Sequence, residues 1–126
     1  MKWRMITWSC LAVWILSLSC ALAVQIPADV HERILKYPGA KLVGFEQATL
    51  GDGRGVYEVD LDAGGAKYED VVSFYQQETR KRGWKIFNDV NRGYSFILLC
   101  HDGRYKIDIT VTSRENRILI HMTITG

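Results

Sequence analysis

Residues 98–105 read Leu-Leu-Cys-His-Asp-Gly-Arg-Tyr, and Cys100, His101 and Asp102 are the residue types of a nucleophile, its base and the group that orients the base. Such a trio works only when nucleophile and base face each other at about 3 Å. The run 94–101 reads as a strand apolar on both faces, and adjacent strand residues leave a sheet on opposite sides. Cys100 then continues the face of Phe96 and Leu98, His101 takes the other face, and Asp102-Gly103 supplies a two-residue hairpin turn. The pattern predicts the end of a strand here rather than an active site.

Other candidates meet the same test. Glu58, Asp60 and Asp62 alternate along one strand and form a row of carboxylates suited to calcium or to a basic partner. The Asp-x-Asp-x-Asp-Gly pattern of a calcium loop is absent, so the row is expected to be a solvated face paired with lysines or arginines across its hairpin. His31, His101 and His121 have no HxH or HxxxH spacing, and a metal site would need the fold to bring His101 and His121 together. The stretch 51–55, Gly-Asp-Gly-Arg-Gly, lacks the lysine and the following helix of a phosphate loop and reads as a turn. Arg80, Lys81, Arg82 and Lys85 surround Trp84, an arrangement that could touch anionic lipid or a cell-wall polymer but is expected to be a cationic helix end beside a core tryptophan. No catalytic, cofactor-binding or metal-binding residue is assigned from these patterns.

The elements behind these residues follow from periodicity. In 26–40, Pro27 suits a first helical turn, Val30, Ile34 and Leu35 share a face, and Tyr37-Pro38-Gly39 ends the segment. Strands are predicted at 40–50 and 56–62, with Tyr57, Val59 and Leu61 on one side, and this pair forms a hairpin. The spacing of Tyr68, Val71, Val72, Phe74, Tyr75 and Thr79 predicts a helix from residue 68, ended by Gly83. Strands follow at 84–90, 94–101, 104–113 and 117–125. The order is (α)ββαββββ, an α+β domain with an antiparallel sheet and one long helix packed on one face. One helix covers one face, so the apolar second face of 94–101, with Leu119 near it, needs its own cover. The segment 25–38 is the first choice, ahead of a curl of the sheet, a ligand or a protein partner.

The leader sets the compartment. Lys2 and Arg4 precede an uncharged run from Met5 to Val24, and Ala21-Leu22-Ala23 has the small residues of a cleavage site. This is the pattern of a secretory signal covering residues 1–23, with 24–126 as a single domain. Lipidation at Cys20 and retention as an uncleaved anchor remain open, Ser17 being a departure from the leucine usual in a lipoprotein signal. All three readings put the domain outside the cytoplasm, in the periplasm or cell envelope. Cys100 is the one cysteine beyond the leader, so the domain is expected to rest on packing without an internal disulfide. Of 16 Lys and Arg residues two are Lys2 and Arg4, which leaves the mature part balanced against 14 Asp and Glu. A neutral domain has no electrostatic footprint for nucleic acid.

Tyr37-Pro-Gly-Ala40, the Phe74-Tyr75 pair and the Gly83-Trp84 helix end together resemble a family of uncharacterised bacterial exported or envelope proteins, many with lipoprotein signals. The resemblance spans most of residues 37–125 and implies an exported domain; it carries over no catalytic residues. The expected function is a non-enzymatic envelope module that binds a protein or a cell-wall component, without cofactors, touching membrane only through its N-terminal segment. The alternative is a carrier of a small apolar ligand between helix and sheet. A hydrolase using His101 or the Glu58–Asp62 row stands third.

Overall fold

The computed structural model describes residues 26–126; the leader, with Cys20 and Ala23, lies outside the described residues. The elements are α1 (Ala28–His31), β1 (Lys41–Thr49), β2 (Gly55–Gly64), α2 (Tyr68–Lys81), β3 (Lys85–Asn91), β4 (Ser95–His101), β5 (Lys106–Arg114) and β6 (Arg117–Thr125). The six strands form one antiparallel sheet in the order β1-β2-β6-β5-β4-β3, so the α+β class is as expected. The last strand, β6, sits between β2 and β5 and joins the first hairpin to the later strands.

Alternation decides which face each strand buries. Phe96, Leu98 and Cys100 of β4 lie in register with Val111, Ile109 and Ile107 of β5. Those pair in turn with Ile120, Met122 and Ile124 of β6, which face Leu61, Val59 and Tyr57 of β2. This inner face is almost wholly buried. Helix α2 lies over β5 and β4 and buries Val71, Val72, Tyr75 and Thr79 against them. The Thr79 hydroxyl sits comfortably in the interior because it donates to the Tyr75 carbonyl at 2.7 Å. At the C-terminus Gly83 turns left-handed (φ 73°), its amide bonds the Arg80 carbonyl, and the Trp84 amide reaches back to Thr79 at 3.1 Å. That pair of bonds satisfies carbonyls the helix leaves open and releases the chain into β3. The far side of β3 is tied to the same helix, since Tyr68 donates to Asn91 at 2.8 Å and Gln76 to Asp89 at 3.2 Å.

The N-terminal segment departs from expectation. Helix α1 is a single turn, and the segment lies on the inner face beside α2 rather than covering the outer one. Val30, Leu35 and Ala40 are buried there, and the buried Tyr75 hydroxyl donates to the Leu35 carbonyl at 2.7 Å. Asp29 accepts from the Tyr105 hydroxyl and Arg33 pairs with Asp102, which clamps α1 to the loop between β4 and β5. Width explains the placement. Six strands spaced by about 4.8 Å span roughly 24 Å, more than twice the ~10 Å width of one helix. A single helix cannot close even the inner face, and the N-terminal segment closes what α2 leaves open.

Both edge strands are interrupted. The register of β1 shifts between Leu42 and Gly44, and that of β3 between Ile86 and Asn88, which puts Phe87 on a bulge. The loop between β4 and β5 centres on Gly103 (φ 99°) and Arg104, one residue later than expected, with Asp102 and Tyr105 closing it.

Candidate functional site

The outer face of the sheet is the candidate surface, because no described residue covers it. Three rows cross it. Ile97, Thr110, His121 and Asp60 form the central row, flanked by Leu99, Asp108, Thr123 and Glu58 on one side and Ser95, Thr112, Leu119 and Asp62 on the other. Ile97 and Leu119 are each 40% exposed, and Val43, on the β1 bulge, is 61% exposed. A shallow concavity of about 460 Å³ lies here, lined among others by Val43, Asp60, Thr110, Thr112, Leu119 and His121.

At its floor the His121 Nδ1 lies 2.6 Å from Asp60, and its Nε2 lies 3.4 Å from the Thr123 hydroxyl. Carboxylate, imidazole and hydroxyl thus stand in the order of a catalytic relay. The backbone on either side argues against that use. The amides of β6 are spent on the ladders to β2 and β5, so among the described residues the backbone of β6 offers no free donor pair at Thr123. The imidazole and carboxylate are also 44% and 54% exposed, where solvent weakens their coupling. What the network does is fix the ring of His121 in the middle of the face.

The carboxylate row is placed differently from expectation. Its ion-pair partners stand on β6; across the β1–β2 hairpin Lys41 opposes Asp62 in register, but Glu58 opposes Glu46. Asp60 meets His121, and Asp62 meets Arg117. On the same face Asp108 is approached by Lys106 at 3.8 Å, while its Oδ1 is buried without a hydrogen-bond partner among the described residues. His101 and His121 are not brought together: His101 pairs with Lys106 near the end of the sheet, while His121 pairs with Thr110 in its middle. Among the described residues no three His, Cys, Asp or Glu side chains converge as a metal site would require.

The Cys100-His101-Asp102 trio is dispersed. Cys100 is fully buried and its thiol donates to the Ile107 carbonyl at 3.3 Å. Burial, with help from the charges of Asp108 and Asp102, pushes that thiol up to about 12, so it holds its proton. The His101 ring accepts from the Gly103 amide at 2.8 Å on the opposite face. Asp102 accepts from the amides of Arg104 at 2.9 Å and Tyr105 at 2.7 Å. Burial alone would raise its carboxyl, but those amides and the Arg33 guanidinium outweigh it and hold Asp102 below the usual carboxylate range.

One polar cluster had no signal in the sequence. Asp29, Arg33, Asp102, Arg104 and Tyr105 meet where α1 joins the β4–β5 loop, with the Arg33 guanidinium 4.5 Å from the centre of the Tyr105 ring. Its members lie 69 and 76 positions apart, beyond any local pattern. The Tyr105 hydroxyl holds the Asp29 carboxyl down, and the bond to Asp29 holds the Tyr105 hydroxyl up. The Tyr37, Phe74 and Tyr75 rings also converge, with edge-to-face contacts at 5.4 and 5.0 Å, so these motif residues serve the packing of the inner layer.

No family model and no curated protein matches the chain. Among solved structures, the crystal structure of CalU16 from Micromonospora echinospora covers 69% of this chain and 68% of its own at 9% identity, with a TM-score of 0.38. That likeness is too slight to carry an argument about fold or function.

Proposed function

We propose that the chain is an exported envelope domain, non-enzymatic, whose outer sheet face docks a protein partner. The carrying observation is the asymmetry of cover: α2 and the N-terminal segment both pack on the inner face, which leaves Ile97 and Leu119 each 40% exposed on the other. Exposed apolar side chains grouped on one face of a small domain mark an interaction surface. The surrounding threonines and the ordered His121–Asp60 pair supply a polar frame of the kind that rims such surfaces. On this reading α2 is the one long helix of an (α)ββαββββ arrangement and serves as its closed back. Fully buried Val71, Tyr75, Phe96, Leu98 and Ile109 fill the space between helix and sheet, which favours docking over carriage of an apolar ligand there. Among the described residues no helix is long and apolar enough to cross a membrane.

The test is a photo-crosslinking residue placed at Ile97 or Leu119, with Glu69 on α2 as control, in cells exporting the protein. A discrete adduct from both outer-face positions and none from Glu69 is expected. Absence of outer-face adducts, or the same adducts from all three positions, would overturn the proposal. The mass of the mature N-terminus separates cleavage after Ala23 from lipidation at Cys20.

A further inference from the structure

We infer that a second surface, the cationic end of the molecule at the start of β3, rests on an anionic phospholipid bilayer. Arg80, Lys81 and Lys85 are exposed and form no ion pair with any described residue. Beside Lys85, Phe87 stands 61% exposed on the β3 bulge, with the ammonium 5.2 Å from the centre of its ring. Arg82 lies 5.6 Å from the Trp84 ring centre. Of the acidic groups near this end, Glu78 pairs with Arg82 at 3.7 Å and Asp89 accepts from Gln76, while the exposed Glu32 leaves the local balance still positive against Arg80, Lys81, Arg82 and Lys85. Unpaired cations with an exposed ring among them are the composition of an interfacial anchor. The ring enters the headgroup region while the ammonium and guanidinium groups meet lipid phosphates.

The path of the chain gives a second, independent reason. The Arg82 guanidinium donates to the Glu32 carbonyl at 3.1 Å, and α1 is clamped to the β4–β5 loop by Asp29 and Arg33. The segment that continues back into the uncharged run 5–24 is therefore fixed at this same end. If that run or a lipid on Cys20 holds the chain to a bilayer, the few residues between Cys20 and Ile26 span at most about 20 Å and bring the cationic end to the surface. Lys85 stands opposite His101, so this contact borders one end of the outer sheet face, while Ile97 lies further along β4 and is probed separately.

The full-length protein is reconstituted into vesicles of phosphatidylcholine alone or mixed with phosphatidylglycerol, and hydrogen exchange is followed over residues 80–88. Exchange is expected to slow several-fold on the anionic vesicles only. The protection should disappear in about 0.5 M salt, where the Debye length falls to roughly 4 Å. The double variant Lys81→Glu/Lys85→Glu, and separately Phe87→Ser, should abolish it while an unchanged Tm shows the fold intact. Equal exchange on both vesicle types, or protection that survives the double variant, would overturn the inference.

Discussion

The two faces of the sheet follow one alternating rule and meet opposite fates. On the inner face, Phe96, Leu98, Ile107, Ile109 and Met122 have no accessible surface, under two covering elements that differ in kind. On the outer face, Ile97 and Leu119 stand in register with threonines, a histidine and carboxylates, and nothing described lies over them. Closing the inner face took both a regular helix and an irregular segment, because the sheet is wider than one helix. The difference shows that apolar content within a strand does not by itself say which side is closed. Cover is allotted by the elements outside the sheet.

The sharpest way to break this comparison is to truncate one leucine on each face. Leu98→Ala should cost about 2–5 kcal/mol in denaturant unfolding, and Leu119→Ala less than about 1 kcal/mol, since only the former leaves a cavity. Equal losses would show that the outer face is closed in solution. Next in size, Tyr75→Phe removes the donor to Leu35 and should cost about 1–3 kcal/mol, with faster hydrogen exchange in residues 26–40 as the local readout.

Asp102 tests the clamp through pH. Its folded carboxyl lies below the unfolded value of about 3.8, so the stability it contributes is present above that pH and lost as pH falls through the folded value. Asp102→Asn should destabilise by roughly 1–3 kcal/mol at neutral pH, and the gap from the parent protein should narrow below about pH 4 in acid unfolding series. The smallest effect is a gain. Glu115 and Asn116 connect β5 to β6 with φ of 52° and 62°, a conformation that disfavours glutamate. Glu115→Asn/Asn116→Gly should raise stability by about 0.5–1 kcal/mol, read as a higher Tm, without changing either face.

Much of the scaffold could be read from local pattern. The alternation of Ile107, Ile109 and Val111, and of Ile118 to Ile124, states the buried side directly, and α2 is written in the spacing of Val71, Val72, Tyr75 and Thr79. The dispersal of Cys100, His101 and Asp102 follows from the same two-residue period. What could not be read depends on long-range register. That Asp60 meets His121 requires β6 to insert between β2 and β5, and nothing within either strand encodes its partner. The position of 26–40 was hidden for a related reason: it is fixed by Asp102, Tyr105 and Tyr75, all remote in sequence, and it has little regular structure to announce a face. The boundaries also moved where a bulge lengthened a strand, as in β2, which continues through Ala63 to Gly64.

The clamp between α1 and the β4–β5 loop bears on how the polypeptide acquires its shape. Asp29 and Arg33 are made early in synthesis, yet Tyr105 and Asp102 follow only 76 and 69 positions later. Strand β2 likewise waits for β6, its neighbour on one side. The β1–β2 hairpin has its partner at once, but its joining to the rest of the sheet and the closing of the clamp wait until almost the whole length is at hand. Loop closure over such separations makes that final step slow for a domain of this size.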